Sequence, residues 1–166
     1  MSSQIYNRRI LNTTICIRPY DLNKKIDDIL NIRLQEKVEG ICLKEGYIKP
    51  NTSNILSRTV GTIDNGNFNG NIHYDLKYEA ELCCPNNGDI IECKVLDNNK
   101  SSVNAYIENE ETSPLIIILA RQHHQGNKTF IELEKNDNIS IKVIAIKYEY
   151  LDKQILVLGE FIEKLD

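Results

Sequence analysis

The longest regular pattern in the chain runs from Ile72 to Leu82. Ile72, Tyr74, Leu76, Tyr78, Ala80 and Leu82 alternate there with His73, Asp75, Lys77, Glu79 and Glu81. A period of two sends successive side chains to opposite faces, so this segment predicts a strand with one buried side. Pro85-Asn86-Asn87-Gly88 then reads as a turn, and a second apolar strand, Ile90 to Leu96, starts directly after it. The stretch from Gly61 to Leu96 is therefore the expected joint between two structural units.

Before the joint, Arg8 to Arg18 predicts a strand in which Ile15 and Ile17 share a face, ended by Pro19. Asp21 is the expected N-cap of a helix whose apolar stripe is Leu22, Ile26, Ile29, Leu30, Leu34 and Val38. Lys24, Lys25, Asp27, Asp28, Arg33 and Glu36 fall on its outer side, and it ends near Gly40. Short strands follow at Ile41 to Leu43 and Gly46-Tyr47-Ile48, then a polar loop from Lys49 to Asn54. Ile55 to Ile63 is extended, with Gly61 marking a bulge or a close backbone approach. Asp64 to Gly70 is a turn-rich link. After the joint the reading is almost all strand: Ile90 to Leu96, Ser102 to Ile107, Leu115 to Ala120, and a long hairpin from Ile139 to Tyr150 and Gln154 to Ile162. Five strands with a longer connection between the third and fourth fit a small closed barrel of the OB type. The expected fold class is α+β, mostly β. It places one helix on an antiparallel sheet over 1–84 and a five-stranded barrel over 85–166.

Composition narrows the function. A hydrophobic content of 41% with 27% charged residues describes a globular chain. The longest apolar run, Leu115 to Ala120, is too short to span a bilayer as a helix, and the N-terminal residues lack an apolar core for secretion. No membrane partner and an intracellular location are expected. The net charge of −4, with no basic block, argues against strong nonspecific nucleic-acid binding, which rests on neutralising phosphates. The five cysteines are odd in number and contain no CxxC, so reduced, mostly buried thiols are expected.

Signals of chemistry are thin. His123 and His124 are adjacent, which seldom aims two rings at one ion, and they read as a solvated loop. No nucleophile elbow, P-loop or dinucleotide fingerprint occurs, and the acids mostly sit on the outward phase of strands. No catalytic residue, metal site or cofactor is expected. Tyr74 and Tyr78 share a face with Leu76 and Leu82, so they read as core rather than as a stacking platform. Tyr106 and Tyr148 are the exposed-aromatic candidates on the barrel, and Arg121, after an apolar strand, is a candidate phosphate contact.

The order of these motifs resembles the stalk subunit of multisubunit DNA-directed RNA polymerases, the family of the archaeal stalk protein and the seventh subunit of eukaryotic polymerase II. The resemblance covers nearly the whole chain. LQEKVEGIC followed by GYI is similar to the family's helix end, VEG-x-C segment and GYI strand. GTIDNGNFNGNIHYDLKYEAELCCPNNGDIIECKV is similar to its G-x-I turn, long strand and barrel start, and LVLGEFIEK to its closing strand. The compact, Asn-rich chain suits a divergent eukaryotic or large-DNA-virus polymerase, which implies a nuclear location, or a cytoplasmic factory or virion.

The resemblance implies a ribonucleoprotein-like tip domain that docks beside the polymerase clamp and a barrel near the RNA exit path. The implied partners are the large polymerase subunits, a small helical stalk partner and nascent RNA. Carried onto matching positions, the polymerase contact falls on Gly46, Tyr47, Ile48, Lys49 and Pro50, read as an exposed rigid loop, and on the Gly61 to Ile63 segment. RNA contact falls weakly on Tyr106, Arg121 and Tyr148. Barrels of this type that bind nucleic acid usually carry Gly-x-Phe in the second strand, where this chain has Ser101-Ser102-Val103-Asn104-Ala105-Tyr106. The expected function is thus a noncatalytic polymerase stalk subunit. The rival is a freestanding OB-fold protein that binds single-stranded RNA.

Overall fold

The computed structural model describes residues 5–22, 25–63, 65–66, 68–108 and 112–165. Lys24 of the expected helix face, and Asp64 and Asn67 of the turn-rich link, lie outside them. The strands are β1 (Tyr6–Ile17), β2 (Cys42–Leu43), β3 (Gly46–Ile48), β4 (Asn54–Arg58), β5 (Thr62–Ile63), β6 (Ile72–Cys83), β7 (Ile90–Asn98), β8 (Ser102–Tyr106), β9 (Leu115–Ala120), β10 (Asn138–Lys147) and β11 (Ile155–Leu165). The helices are α1 (Ile26–Val38) and the single turn α2 (Lys128–Ile131). Strands β1 to β6 form an antiparallel sheet ordered β1-β6-β3-β2, with β4 and β5 also paired to β6. Strands β7 to β11 close into a barrel.

The chain packs as two compact units. One comprises Asn7–Gly40 and Ile48–Leu82; the other comprises the described parts of Met1–Tyr6, Ile41–Tyr47 and Cys83–Asp166.

In the sheet unit the alternation of β6 folds as its sequence dictates. Tyr74, Leu76, Tyr78, Ala80 and Leu82 are buried, together with Ile15 and Ile17 of β1. Helix α1 adds Leu30, Leu34 and Val38, a four-residue spacing that keeps one stripe on the core. Its start differs from expectation: Asp21 closes a 3-10 turn over Pro19–Asp21, and α1 begins at Ile26 without a side-chain cap. Pro19 explains the turn, since its fixed φ favours the first position of a tight turn and it has no N–H to lose there. Gly61 makes the close approach its position suggests. A Cβ there would lie 2.5 Å from Ile72 Cγ2 and 2.8 Å from Tyr74 Cζ.

The barrel order β10-β11-β9-β8-β7, with β11 parallel to β9 and every other pairing antiparallel, is the OB topology. Its interior is filled by Ile91, Cys93, Val95, Val103, Ala105, Leu115, Ile117, Leu119, Ile139, Ile141, Val143, Ile155 and Val157, and Phe130 of α2 and Leu133 belong to the same buried cluster. Gly159 supplies the close packing a narrow barrel requires: a Cβ there would sit 2.9 Å from both Ile141 and Leu119.

Candidate docking and nucleic-acid surfaces

Gly46, Tyr47 and Ile48 do not form an exposed loop. They are the strand β3, and all three are buried, Tyr47 at 1% and Ile48 at 0% exposure. Gly46 holds φ +135°, and a Cβ there would stand 2.6 Å from the Cys83 carbonyl oxygen. The segment Ile41–Tyr47 belongs to the barrel unit. Cys42 N–H donates to Asp152 O at 2.6 Å, Leu151 N–H donates to Cys42 O at 2.9 Å, and Tyr148 Oη donates to Lys44 O at 3.1 Å. The local sequence misleads because Lys44, Glu45 and Lys49 flank this strand and make it look solvated. Aspartate at Tyr47 or Ile48 would put a carboxylate in the core and would test folding, not docking.

Lys49 and Pro50 do lie on an accessible loop, half-buried and exposed respectively. The Glu39 carboxylate organises that loop. It accepts from Asn51 N–H at 2.8 Å and Ser53 N–H at 3.1 Å, and it also accepts from the Ser53 hydroxyl. Lys49 N–H donates to Glu81 O at 2.9 Å.

A more apolar surface lies at the end of the sheet unit where β1 finishes and β6 begins. Ile63 is 61% exposed, Val60 85%, Tyr20 73% and Phe68 97%. Ile63 pairs with Ile72, and a Cβ on Gly70 would lie 3.1 Å from Pro19 Cγ, so segments 19–20, 60–63 and 68–72 converge. Phe68 sits at φ +49°, a conformation bulky residues rarely adopt. Of the expected contacts, Ile63 presents its side chain here and Gly61 gives the close packing behind it. The sequence reading missed Tyr20, Val60 and Phe68. An aromatic isolated within Asn and Gly residues was the available signal.

The three RNA candidates separate. Arg121 Nε donates to Asn99 O at 2.7 Å, one of its terminal nitrogens bonds Asn98 Oδ1, and the guanidinium lies 6.0 Å from the Phe130 ring centre. It is a clamp on the β7–β8 turn. Tyr148 packs against the barrel core, with its hydroxyl on Lys44 O. Burial first, and the neighbouring Cys84 second, push its phenol pKa up. Tyr106 alone faces outward with its ring half-exposed.

Register places Tyr106 in a row that crosses all five barrel strands. Lys94 pairs with Tyr106, Ile116 with Leu156, and Leu156 with Lys147. The register that pairs Ala105 with Ile117 carries Tyr106 beside Ile116. The strand neighbours of Lys94, Ile116 and Leu156 are buried, as is Ala105 before Tyr106, so these four side chains point out of the barrel, and Lys147 is exposed between the half-buried Ile146 and Tyr148. An aromatic and two aliphatic groups, Ile116 at 41% and Leu156 at 38% exposure, thus lie between two lysines. Lys94 Nζ bonds Glu108 Oε1 at 2.5 Å, which raises the lysine's pKa. Lys147 has no ion pair among the described residues. A cavity of about 480 Å³ adjoins the row, lined by Ile116, Leu156, Lys147, Lys153 and Gln154 with the acids Glu149 and Asp152.

His124 is buried, unlike the solvated loop expected, and both ring nitrogens are engaged. Nε2 accepts from Phe161 N–H at 2.8 Å, so the ring proton sits on Nδ1 and is donated to Ala120 O at 2.7 Å. The ring stacks on Phe130 at 4.3 Å. Cys42, Cys83 and Cys93 are buried, Cys84 is half-buried and Cys16 is exposed. Burial lifts the Cys93 thiol to about 12. Burial, then Asp152 and Cys84, lifts Cys42 to about 11. Among the described residues no His, Cys, Asp and Glu group has the makings of a metal site, and no helix is long and apolar enough to cross a membrane.

No protein-family model matches the sequence. Over 171 aligned positions the chain is 21% identical to a protein of Acanthamoeba polyphaga mimivirus named "Putative DNA-directed RNA polymerase subunit L376", and the alignment covers 96% of this chain and 83% of that protein.

Proposed function

We propose that the chain is a noncatalytic subunit of a DNA-directed RNA polymerase, occupying the stalk position. The similarity to a protein named as a DNA-directed RNA polymerase subunit supports the subunit assignment, because it runs through 96% of the chain and so through both units, while the stalk position rests on the order of the sequence motifs. In this reading the apolar end of the sheet unit, Tyr20, Val60, Ile63 and Phe68, seats in a pocket of the large subunits beside the clamp. It biases the clamp's open and closed populations through differential binding. The OB barrel lies near the RNA exit path, a small helical protein completes the stalk, and the complex works in the nucleus, or in a cytoplasmic factory or virion.

Tagging the chain in its own host and identifying co-purifying proteins by mass spectrometry tests this. Recovery of the two largest polymerase subunits is expected, and it should disappear when Val60, Ile63 and Phe68 are all changed to aspartate. These side chains are largely solvated in the free chain, so the triple variant should fold. Absence of polymerase subunits from the wild-type pull-down would overturn the assignment.

A second reading is favoured by the barrel row: a freestanding protein that holds single-stranded RNA. Base stacking on Tyr106, with Lys147 near a phosphate, is the physical basis. It predicts measurable uridine-oligonucleotide binding by the purified chain, lost with Tyr106→Ala, and no polymerase in the pull-down.

A further inference from the structure

Strand β1 ends the sheet path, so among the described residues one of its two edges has no strand beside it. The orientation of that edge can be read from three contacts. Thr14 Oγ1 donates to Asp75 Oδ1 at 2.6 Å, which makes these two residues cross-strand neighbours. The backbone groups of Asp75 point the other way, since Thr59 N–H donates to Asp75 O at 2.9 Å and Asp75 N–H donates to Thr59 Oγ1 at 3.0 Å. Thr14 and Asp75 are therefore a non-hydrogen-bonded pair, and the Thr14 N–H and C=O face away from β6. By alternation Asn12 and Cys16 do the same. Lys37 of α1 donates to Thr14 O at 2.6 Å and so covers one carbonyl of the open edge. A lysine laid over an edge is how folded chains keep such an edge from pairing indiscriminately.

We infer that this edge receives an extended, acid-bearing segment of a partner protein as an added strand. Charge selects the partner. Arg8 and Arg9 lie on β1, Lys37 reaches its open edge, Arg18 follows the strand with its guanidinium on the Tyr20 hydroxyl, and no acid precedes Asp21 in the sequence. The acids on the neighbouring strand are occupied: Asp75 by Thr14, and Glu79 and Glu81 by Arg8 at 3.7 and 3.9 Å. Arg9 is exposed and has no ion pair among the described residues. A second copy of the chain is a poor occupant, since two β1 strands side by side would bring arginines together with no carboxylate between them. Main-chain hydrogen bonds would hold the added strand, and glutamates or aspartates near Arg9 and Lys37 would set its direction. The inference goes beyond the polymerase reading and stands on β1 alone.

The test uses the full chain and a synthetic peptide of roughly ten residues, the length of an ordinary strand, alternating valine or threonine with glutamate. A second peptide carries lysine at every glutamate. Hydrogen exchange should show the Asn12, Thr14 and Cys16 amides slowed by about tenfold or more when the glutamate peptide is bound, since a paired amide opens only when the strand leaves. Asn12→Pro should abolish binding, because proline at an outward edge position removes a donor without disturbing the β6 pairing. Should that variant fail to fold, Arg9→Glu decides: preference should invert toward the lysine peptide. No binding of either peptide, binding blind to charge, protection on another strand, or self-association through β1 that displaces the peptide would each overturn the inference.

Discussion

At His124 a single buried side chain makes two hydrogen bonds and a ring stack. Leucine there would leave Phe161 N–H and Ala120 C=O without partners in a dry site. An unsatisfied buried group costs about 1–3 kcal/mol, so His124→Leu should lose about 2–4 kcal/mol in urea denaturation. Unchanged stability would show that the two bonds contribute nothing. The buried thiols give a second expectation. Because Cys93 stays protonated up to about 12, and Cys42 up to about 11, against an ordinary value of 9.0, the unfolded chain releases these protons first as pH rises. Folding stability is full below pH 9 on this account and declines between about 9 and about 12. At pH 8, iodoacetamide should modify exposed Cys16 well before either buried thiol. His124 was not legible as a buried residue: His123-His124 lies in a polar connection, and only the arrival of Phe161 from a distant strand buries one ring and not the other.

The elements divide by how local their determinants are. The alternation of β6, the apolar core strand β9 and the final β10–β11 hairpin were readable because their pattern is complete within the segment. β3 was not, since nothing in three residues reveals that Cys42 will pair with Tyr47, or that Gly46 will lie against the Cys83 carbonyl. Gly46→Ala should therefore be severe, by about 2–4 kcal/mol, combining a disfavoured φ with a steric collision. The open apolar end of the sheet unit was hidden for the opposite reason: Val60 and Phe68 stand among turn residues and belong to no periodic run. The β7–β8 turn shows how a candidate ligand becomes a structural part. Arg121 bonds Asn99 O and Asn98 Oδ1, while Asn98 Nδ2 donates to Leu133 O at 2.6 Å, so turn and connection are tied together. Arg121→Ala should cost about 1 kcal/mol, and lysine should not restore it, because only the planar fork reaches both acceptors. RNA affinity unaffected by either change would confirm the clamp; affinity retained by lysine and lost with alanine would return Arg121 to the phosphate role.

Over the whole chain the charge is unevenly divided, and this bears on which contacts drive association. Residues 1–84 carry eleven Lys and Arg against ten Asp and Glu, while 85–166 carry nine against fourteen, a net of −5 in the barrel part of a chain whose total is −4. An acidic barrel with one ion-paired and one free lysine in its outward row can neutralise only one or two phosphates. With roughly −0.7 in logarithmic slope for each phosphate contact on a single strand, RNA affinity should fall with salt by a slope of about −1. The steeper dependence of basic nucleic-acid binders is not expected. The proposed docking through Val60, Ile63 and Phe68 would be apolar and should persist as salt rises, since hydrophobic burial is not screened. The proposed polymerase docking and RNA contact should therefore come apart. The triple aspartate variant at those positions should lose polymerase co-purification and keep uridine-oligonucleotide binding. Tyr106→Ala with Lys147→Glu should lose the oligonucleotide and keep the polymerase. Fluorescence anisotropy across a salt series, run beside the pull-down, reads both. If either variant abolished both activities while remaining folded by circular dichroism, the division of labour between the sheet unit and the barrel would be wrong.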